Sequence, residues 1–195
     1  MADPANPLMR FLDIVDDRNL GFGDAVIVSG INARQLRNGL DRGSLRVGEK
    51  LPSVGRWVFS VRECLTLMVV GELTTGAWTP PSVAHEIGEQ ISSHLTDWAP
   101  AILDAMWAVK AGNENHVIDE FIVTNREGGP EIMRHRRGDG WGFFSLDGTR
   151  LDLSNFQEVH IRIPLAGLIH RLVAGVSEAM VEKVGADWAT KAEAE

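Results

Sequence analysis

Chemistry is concentrated in the stretch Gly30-Ile31-Asn32-Ala33-Arg34-Gln35-Leu36-Arg37 and the residues just after it. An arginine guanidinium presents two parallel donors that match O6 and N7 of guanine, and an asparagine amide pairs in the same bidentate way with adenine. Arg34, Arg37 and Asn38, with Asn32 and Ala33 beside them, are therefore candidates for contacts to base edges. Gln35, Arg42, Arg46, Lys50, Arg56 and Trp57 follow at spacings suited to holding backbone phosphates. From Gly30 to Arg62 the chain has seven basic residues and two acidic ones, a local excess of five positive charges in a protein whose formal net charge is −8. The net charge argues against a polyanionic partner, but local field, not total charge, governs docking to one.

These side chains need two helices and a tight turn to position them. Phe22 to Val28 suits one short helix, and Ser29-Gly30-Ile31 a turn in which Gly30 is free to take positive φ. Asn32 is a favoured N-cap, with Gln35 three residues on as in a capping box. The second helix should run to about Leu40 and end near Gly43, with Ile31, Leu36 and Leu40 inward and Ala33, Arg34, Arg37 and Asn38 toward solvent. A helix of this length fits the major groove. Two short strands around Gly48 to Gly55 should form a hairpin with Lys50 in its loop and Arg56 on the return strand. Ser60 and Glu63 form a second capping box, opening a third helix that packs through Leu65, Leu67, Met68, Val69 and Leu73.

This stretch resembles the DNA-binding domain of the MerR family, a winged helix-turn-helix. The residues that carry the resemblance are Gly30, Ile31, Asn32, Arg34, Gln35, Leu36, Arg37, Gly43, Leu45, Arg56, Phe59, Ser60 and Glu63. Asn38 and Gly39 depart from the family, standing where an aromatic pair is usual, and the loop from Glu49 to Val54 is irregular. The match covers under a third of the chain. It implies a double-stranded DNA partner, a transcription-regulating role and a homodimer, since two-fold symmetry doubles the contact that one recognition helix offers. A DNA-packaging or excision accessory protein of a phage-like element, and a protein-interaction module on the same fold, are the alternatives.

The whole chain reads as α+β, in four parts. Residues 1–78 form the winged helix-turn-helix and 79–112 a helical connector. Residues 113–185 form a small antiparallel sheet with a terminal helix, for oligomerisation or sensing, and 186–195 a frayed tail. The boundary is expected at Trp78-Thr79-Pro80-Pro81-Ser82, with Ser82 capping the next helix and Pro100 kinking or splitting it. Val117 to Val123, Ile132-Met133, Trp141 to Phe144 and Val159 to Ile163 read as strands. Pro164 opens a last helix with Leu165, Leu168, Ile169, Leu172, Val173 and Val176 on one stripe. That stripe, or the Trp98–Met106 face, would supply a dimer interface.

Other chemistry finds little footing. Cys64 is the single cysteine, so it has no intramolecular disulfide partner and reads as a small core residue. The six histidines include no i, i+4 pair, which disfavours zinc. Gly21-x-Gly23 lacks the third glycine of a dinucleotide fingerprint, and Gly138-Asp139-Gly140-Trp141-Gly142 suits a hairpin turn better than a phosphate loop. Asp16-Asp17 reads as a solvating pair in a polar leader, and Arg134-His135-Arg136-Arg137 as a solvated hairpin edge. No catalytic set is visible and no cofactor is expected. No secretory signal or membrane span is evident, so the expected location is the cytoplasm.

Overall fold

The structure, a computed structural model, describes residues 7–53, 55–76, 79–110, 119–126, 129–138, 140–145, 150–151 and 160–184. Several expected features lie outside these residues: the boundary residue Trp78, the strand residues Val117, Ile118 and Val159, the turn residue Asp139, and the tail 186–195. The fold is α+β. A short 3₁₀ helix, Pro7–Ile14, leads into strand β1 (Leu20–Gly21), helix α1 (Phe22–Ser29) and helix α2 (Ala33–Asp41). Strands β2 (Glu49–Lys50) and β3 (Trp57–Phe59) follow, then helices α3 (Val61–Gly76), α4 (Pro81–Ser93) and α5 (Leu95–Lys110). Strands β4 (Asp119–Arg126), β5 (Gly129–Gly138), β6 (Gly140–Ser145), β7 (Arg150–Leu151) and β8 (His160–Ile163) precede the last helix, α6 (Leu165–Val184).

The strands form two antiparallel sheets. The small one has the order β1-β3-β2, with Leu20 opposite Phe59 and Lys50 opposite Trp57. The larger has the order β7-β6-β5-β4-β8, with Val123 opposite Ile132 on one side and Ile161 on the other. Arg134, His135, Arg136 and Arg137 all lie in β5, paired to both β4 and β6, except Arg137, whose register partner is Trp141 of β6.

One hydrophobic core joins the expected segments. Phe11 and Val15 from the leader, Leu36 of α2, Leu65 and Leu73 of α3, Ile91 and Trp98 of α4 and α5, and Leu168, Leu172 and Val176 of α6 are all buried in it. Burying side chains of this size stabilises by about 1.5–3 kcal/mol each. The helices approach closely where side chains are absent. A Cβ on Gly175 of α6 would sit 3.0 Å from Val28 Cα of α1, and one on Gly88 of α4 would sit 2.9 Å from the Thr66 carbonyl of α3.

Several local expectations need correction. Pro81, not Ser82, is the first residue of α4, and Pro80 precedes it without a side-chain cap. Proline's fixed φ suits the first turn, where its missing N–H has no helical partner to lose. The break before α5 falls at His94, and Pro100 sits inside α5. His94 supplies the stop, because its carbonyl accepts from the Asp97 and Trp98 amides while its ring Nδ1 lies 3.0 Å from Asp97 Oδ2. Pro164 lies one residue before α6 and its carbonyl accepts from the Leu168 amide. The two faces expected to form a dimer interface are packed largely inside the chain: Leu165, Leu168, Ile169, Leu172 and Val176 are buried, as are Trp98, Ile102 and Leu103, and Val173 and Met106 are partly buried.

Candidate nucleic-acid interface

The turn between α1 and α2 is built by three short-range devices. The Gly21 amide donates to Asp24 Oδ2 at 2.6 Å, fixing the start of α1. Gly30 ends α1 at φ 68°, a left-handed conformation that costs glycine nothing sterically, and its amide donates to the Val26 carbonyl. Asn32 Oδ1 accepts from the Arg34 and Gln35 amides at 2.9 and 3.3 Å, satisfying two donors that the first turn of α2 would leave open. The reciprocal half of that capping box is absent, because the Gln35 side chain is turned to α3, where its Nε2 donates to Thr74 Oγ1 at 3.0 Å. Gln35 thus ties α2 to the core. The second box forms in full: the Ser60 amide donates to Glu63 Oε2 at 2.8 Å, and the Glu63 amide to Ser60 Oγ at 3.2 Å.

The two faces of α2 separate as its periodicity requires. Ile31, Leu36 and Leu40 are buried, whereas Asn32, Ala33, Arg34, Arg37 and Asn38 are exposed. Gly39 is buried because Leu45 packs onto it: a Cβ there would lie 2.4 Å from Leu45 Cδ1. A larger side chain at this position has no room.

A hairpin lies between Leu45 and Phe59, shifted from its expected place. Lys50 is in β2, not in the loop, and Arg56 immediately precedes β3. The loop closes through the Leu51 amide on the Arg56 carbonyl and the Gly55 amide on the Leu51 carbonyl, both at 2.8 Å. Arg42, Arg46, Lys50 and Arg56 are exposed and Trp57 is half-buried, stacked on Phe59 with ring centroids 6.4 Å apart. Sequence reasoning missed β1, which pairs with β3 and roots the hairpin against the start of α1. Two residues are too few to show a strand period.

Charge is partitioned sharply. Among the described residues, Arg34, Arg37, Arg42, Arg46, Lys50 and Arg56 form no ion pair, and Arg37 instead lies over the Phe22 ring with its guanidinium carbon 5.3 Å from the centroid. Arg62, counted above toward the local positive charge, is engaged internally. Its Nε donates to Asp16 Oδ1 at 2.6 Å and its Nη1 to the Ser92 and Ser93 carbonyls at the end of α4. Asp16 is accordingly more than a solvating residue, and its hydrogen bond to Arg62 holds its carboxyl below the usual range. Arg18 reaches both Glu49 Oε2 at 2.9 Å and Glu63 Oε1 at 2.8 Å.

His85 of α4, which its sequence neighbourhood did not single out, braces the same region from behind. It is buried, its Nε2 accepts from the Arg46 backbone amide at 3.2 Å, and its Nδ1 has no partner among the described residues. Burial pushes its pKa down, the Glu89 carboxylate at 3.3 Å opposes this, and Arg46 lowers it further. The neutral ring is the form that can accept from Arg46. Cys64 is fully buried in α3, and burial, followed by the charges of Glu63 and Asp24, pushes its thiol pKa far up. Such a thiol is a poor nucleophile and serves packing. No helix among the described residues is long and apolar enough to cross a membrane.

No protein-family model and no curated protein matches this chain.

Proposed function

We infer that this chain binds double-stranded DNA through a winged helix-turn-helix formed by α1, α2, the β2–β3 hairpin and α3, and that it regulates transcription. In this reading α2 enters the major groove with Ala33, Arg34, Arg37 and Asn38 on its inserted face. Arg42, Arg46, Lys50 and Arg56 hold the backbone on either side. The observation that carries the reading is the cluster of exposed cations on α2 and the hairpin, which have no carboxylate partner among the described residues of a protein with net charge −8. Such a face is what counterion release from a polyanion requires. The MerR resemblance of the same residues is consistent with it. A homodimer would double the site, with an interface on surfaces other than the buried stripes of α5 and α6.

The test is a fluorescence-anisotropy titration of duplex DNA at several salt concentrations. The expected result is an affinity that falls linearly with salt on logarithmic axes. An isotherm that shows no duplex binding at low salt overturns the reading.

A further inference from the structure

Arg37 and Arg56 both line an open cleft of about 350 Å³ between α2 and the hairpin, lined also by Phe22, Asp41, Gly55 and Trp57. Three observations define what that cleft can hold. Arg37 is laid over Phe22 of α1, and both line the cleft beside the hairpin, whereas Arg34 and Asn38 do not. Those two line a separate hollow with Arg42 and Ser44 on the opposite flank. Arg56 follows Gly55, whose φ of 63° turns the chain into β3, and Trp57 forms part of the wall. Two arginines lining one gap suit a single tetrahedral anion, because each guanidinium can donate two parallel N–H groups to its oxygens.

Resting on the DNA-binding reading above, we propose that the cleft clamps one phosphodiester of the DNA strand between Arg37 and Arg56, making Arg37 a backbone anchor and leaving base reading to Arg34 and Asn38. Asp41 tempers the clamp, since its carboxylate lines the same gap and repels the phosphate.

The experiment measures salt-dependent binding to two probes, a randomised pool of short duplexes and one duplex selected from it by the wild-type protein. Arg37→Ala and Arg56→Ala are expected to weaken both probes by the same factor. In the double variant the logarithmic salt slope becomes shallower by about 1, the signature of one phosphate lost. Arg37→Lys keeps most of the slope, because a phosphate accepts a point charge where a base edge needs the planar fork. Asp41→Asn tightens both probes equally. A single neutral methylphosphonate, scanned along the selected duplex, should weaken the wild type at one position where it leaves the double variant unchanged. The clamp is overturned if Arg37→Ala erases the preference for the selected duplex, if the double variant loses about 2 in slope, or if it binds as the wild type does. If the wild type itself binds neither probe, the DNA-binding reading falls and the clamp falls with it.

Discussion

Two groups of cations in this protein differ only in what surrounds them. Arg18, Arg62 and Arg171 each reach a carboxylate: Glu49 and Glu63, Asp16, and Glu72. Arg34, Arg37, Arg42, Arg46, Lys50 and Arg56 form no ion pair among the described residues and share one exposed region. With 27 acidic residues in the chain, the open face reflects where acids are withheld. Of the two acids within residues 30–62, Glu49 is held by Arg18. Arg18 therefore does double duty, pinning β2 to the start of α3 and drawing a carboxylate away from Lys50 and Arg56. Identical side chains become internal braces or stay open to solvent according to whether an acid lies within reach.

The largest effect that would break this comparison is on binding. Replacing Arg34 and Arg37 together by Ala should cost about 2–4 kcal/mol of duplex affinity, because each removes a charge-assisted contact. Thermal stability should fall by only about 0.5–1 kcal/mol, since neither guanidinium has an internal acid partner and only the Arg37 contact with the Phe22 ring is lost. Anisotropy titrations and melting curves on the same preparation check both halves. A footprint that keeps its strength and preference in the double variant would remove α2 from the interface.

Arg62→Ala should do the reverse. Its side chain is 22% exposed and serves two α4 carbonyls besides Asp16. Loss of charge-assisted bonds at such a site costs about 2 kcal/mol of stability, while duplex affinity should stay at the wild-type value. Acid should mimic the substitution. Asp16 has a lowered pKa in the fold, so the brace is complete above the ordinary carboxylate pKa of 3.8 and is lost as pH falls through the folded value. Denaturation curves of Arg62→Ala should show a weaker acid dependence than those of the wild type.

How much of this was legible in the sequence follows from chain separation. The turn between α1 and α2 and the starts of α2 and α3 were readable because Gly30, Asn32, Ser60 and Glu63 act on backbone groups within four residues of themselves. The inward and outward faces of α2 followed from the same local period. What escaped was non-local. Gln35 finds Thr74 39 positions away, Arg62 finds Asp16 46 away, and the Arg46 amide finds His85 39 away. The apolar stripes of α5 and α6 were visible, but a stripe does not say whether its partner is another helix of the same chain or a second copy. Close approach of α6 to α1 at Gly175 decides it for the chain itself. The open cleft beside Arg37 was equally out of reach, since it needs residues 21–22 and 55–57 placed around α2.

The His85 brace supplies a pH-dependent test. Its folded pKa lies below the ordinary 6.5, so its contribution is complete above that value and is lost as pH falls through the folded pKa. Protonation puts a hydrogen on Nε2, which then meets the Arg46 N–H as donor to donor and turns instead to Glu89. Glu86 also favours the charged ring, and Arg46 opposes it. Urea denaturation of the wild type should therefore show stability falling as the pH drops below about 6.5. His85→Gln, which retains an acceptor for Arg46, should show a flatter profile there. Parallel profiles would mean that His85 carries none of the dependence.

The smallest effect is expected at Arg171, and it sharpens the distinction among the braces themselves. Arg171 of α6 pairs with Glu72 of α3, but the two side chains are 54% and 43% exposed. Water competes for both charges, and ordering two long side chains offsets most of the Coulomb gain, so Arg171→Ala should lower stability by under about 1 kcal/mol. Added salt should shrink even that difference, because exposed charges are screened. Arg62→Ala should keep its larger cost in the same salt series, as its carbonyl bonds persist without a counter-charge. A cost at Arg171 equal to that at Arg62 would mean that α6 depends on the ion pair and not on the packing of Leu168, Leu172 and Val176. A fall in duplex affinity on the same substitution would extend the cationic contact surface onto α6, past the turn at Gly30.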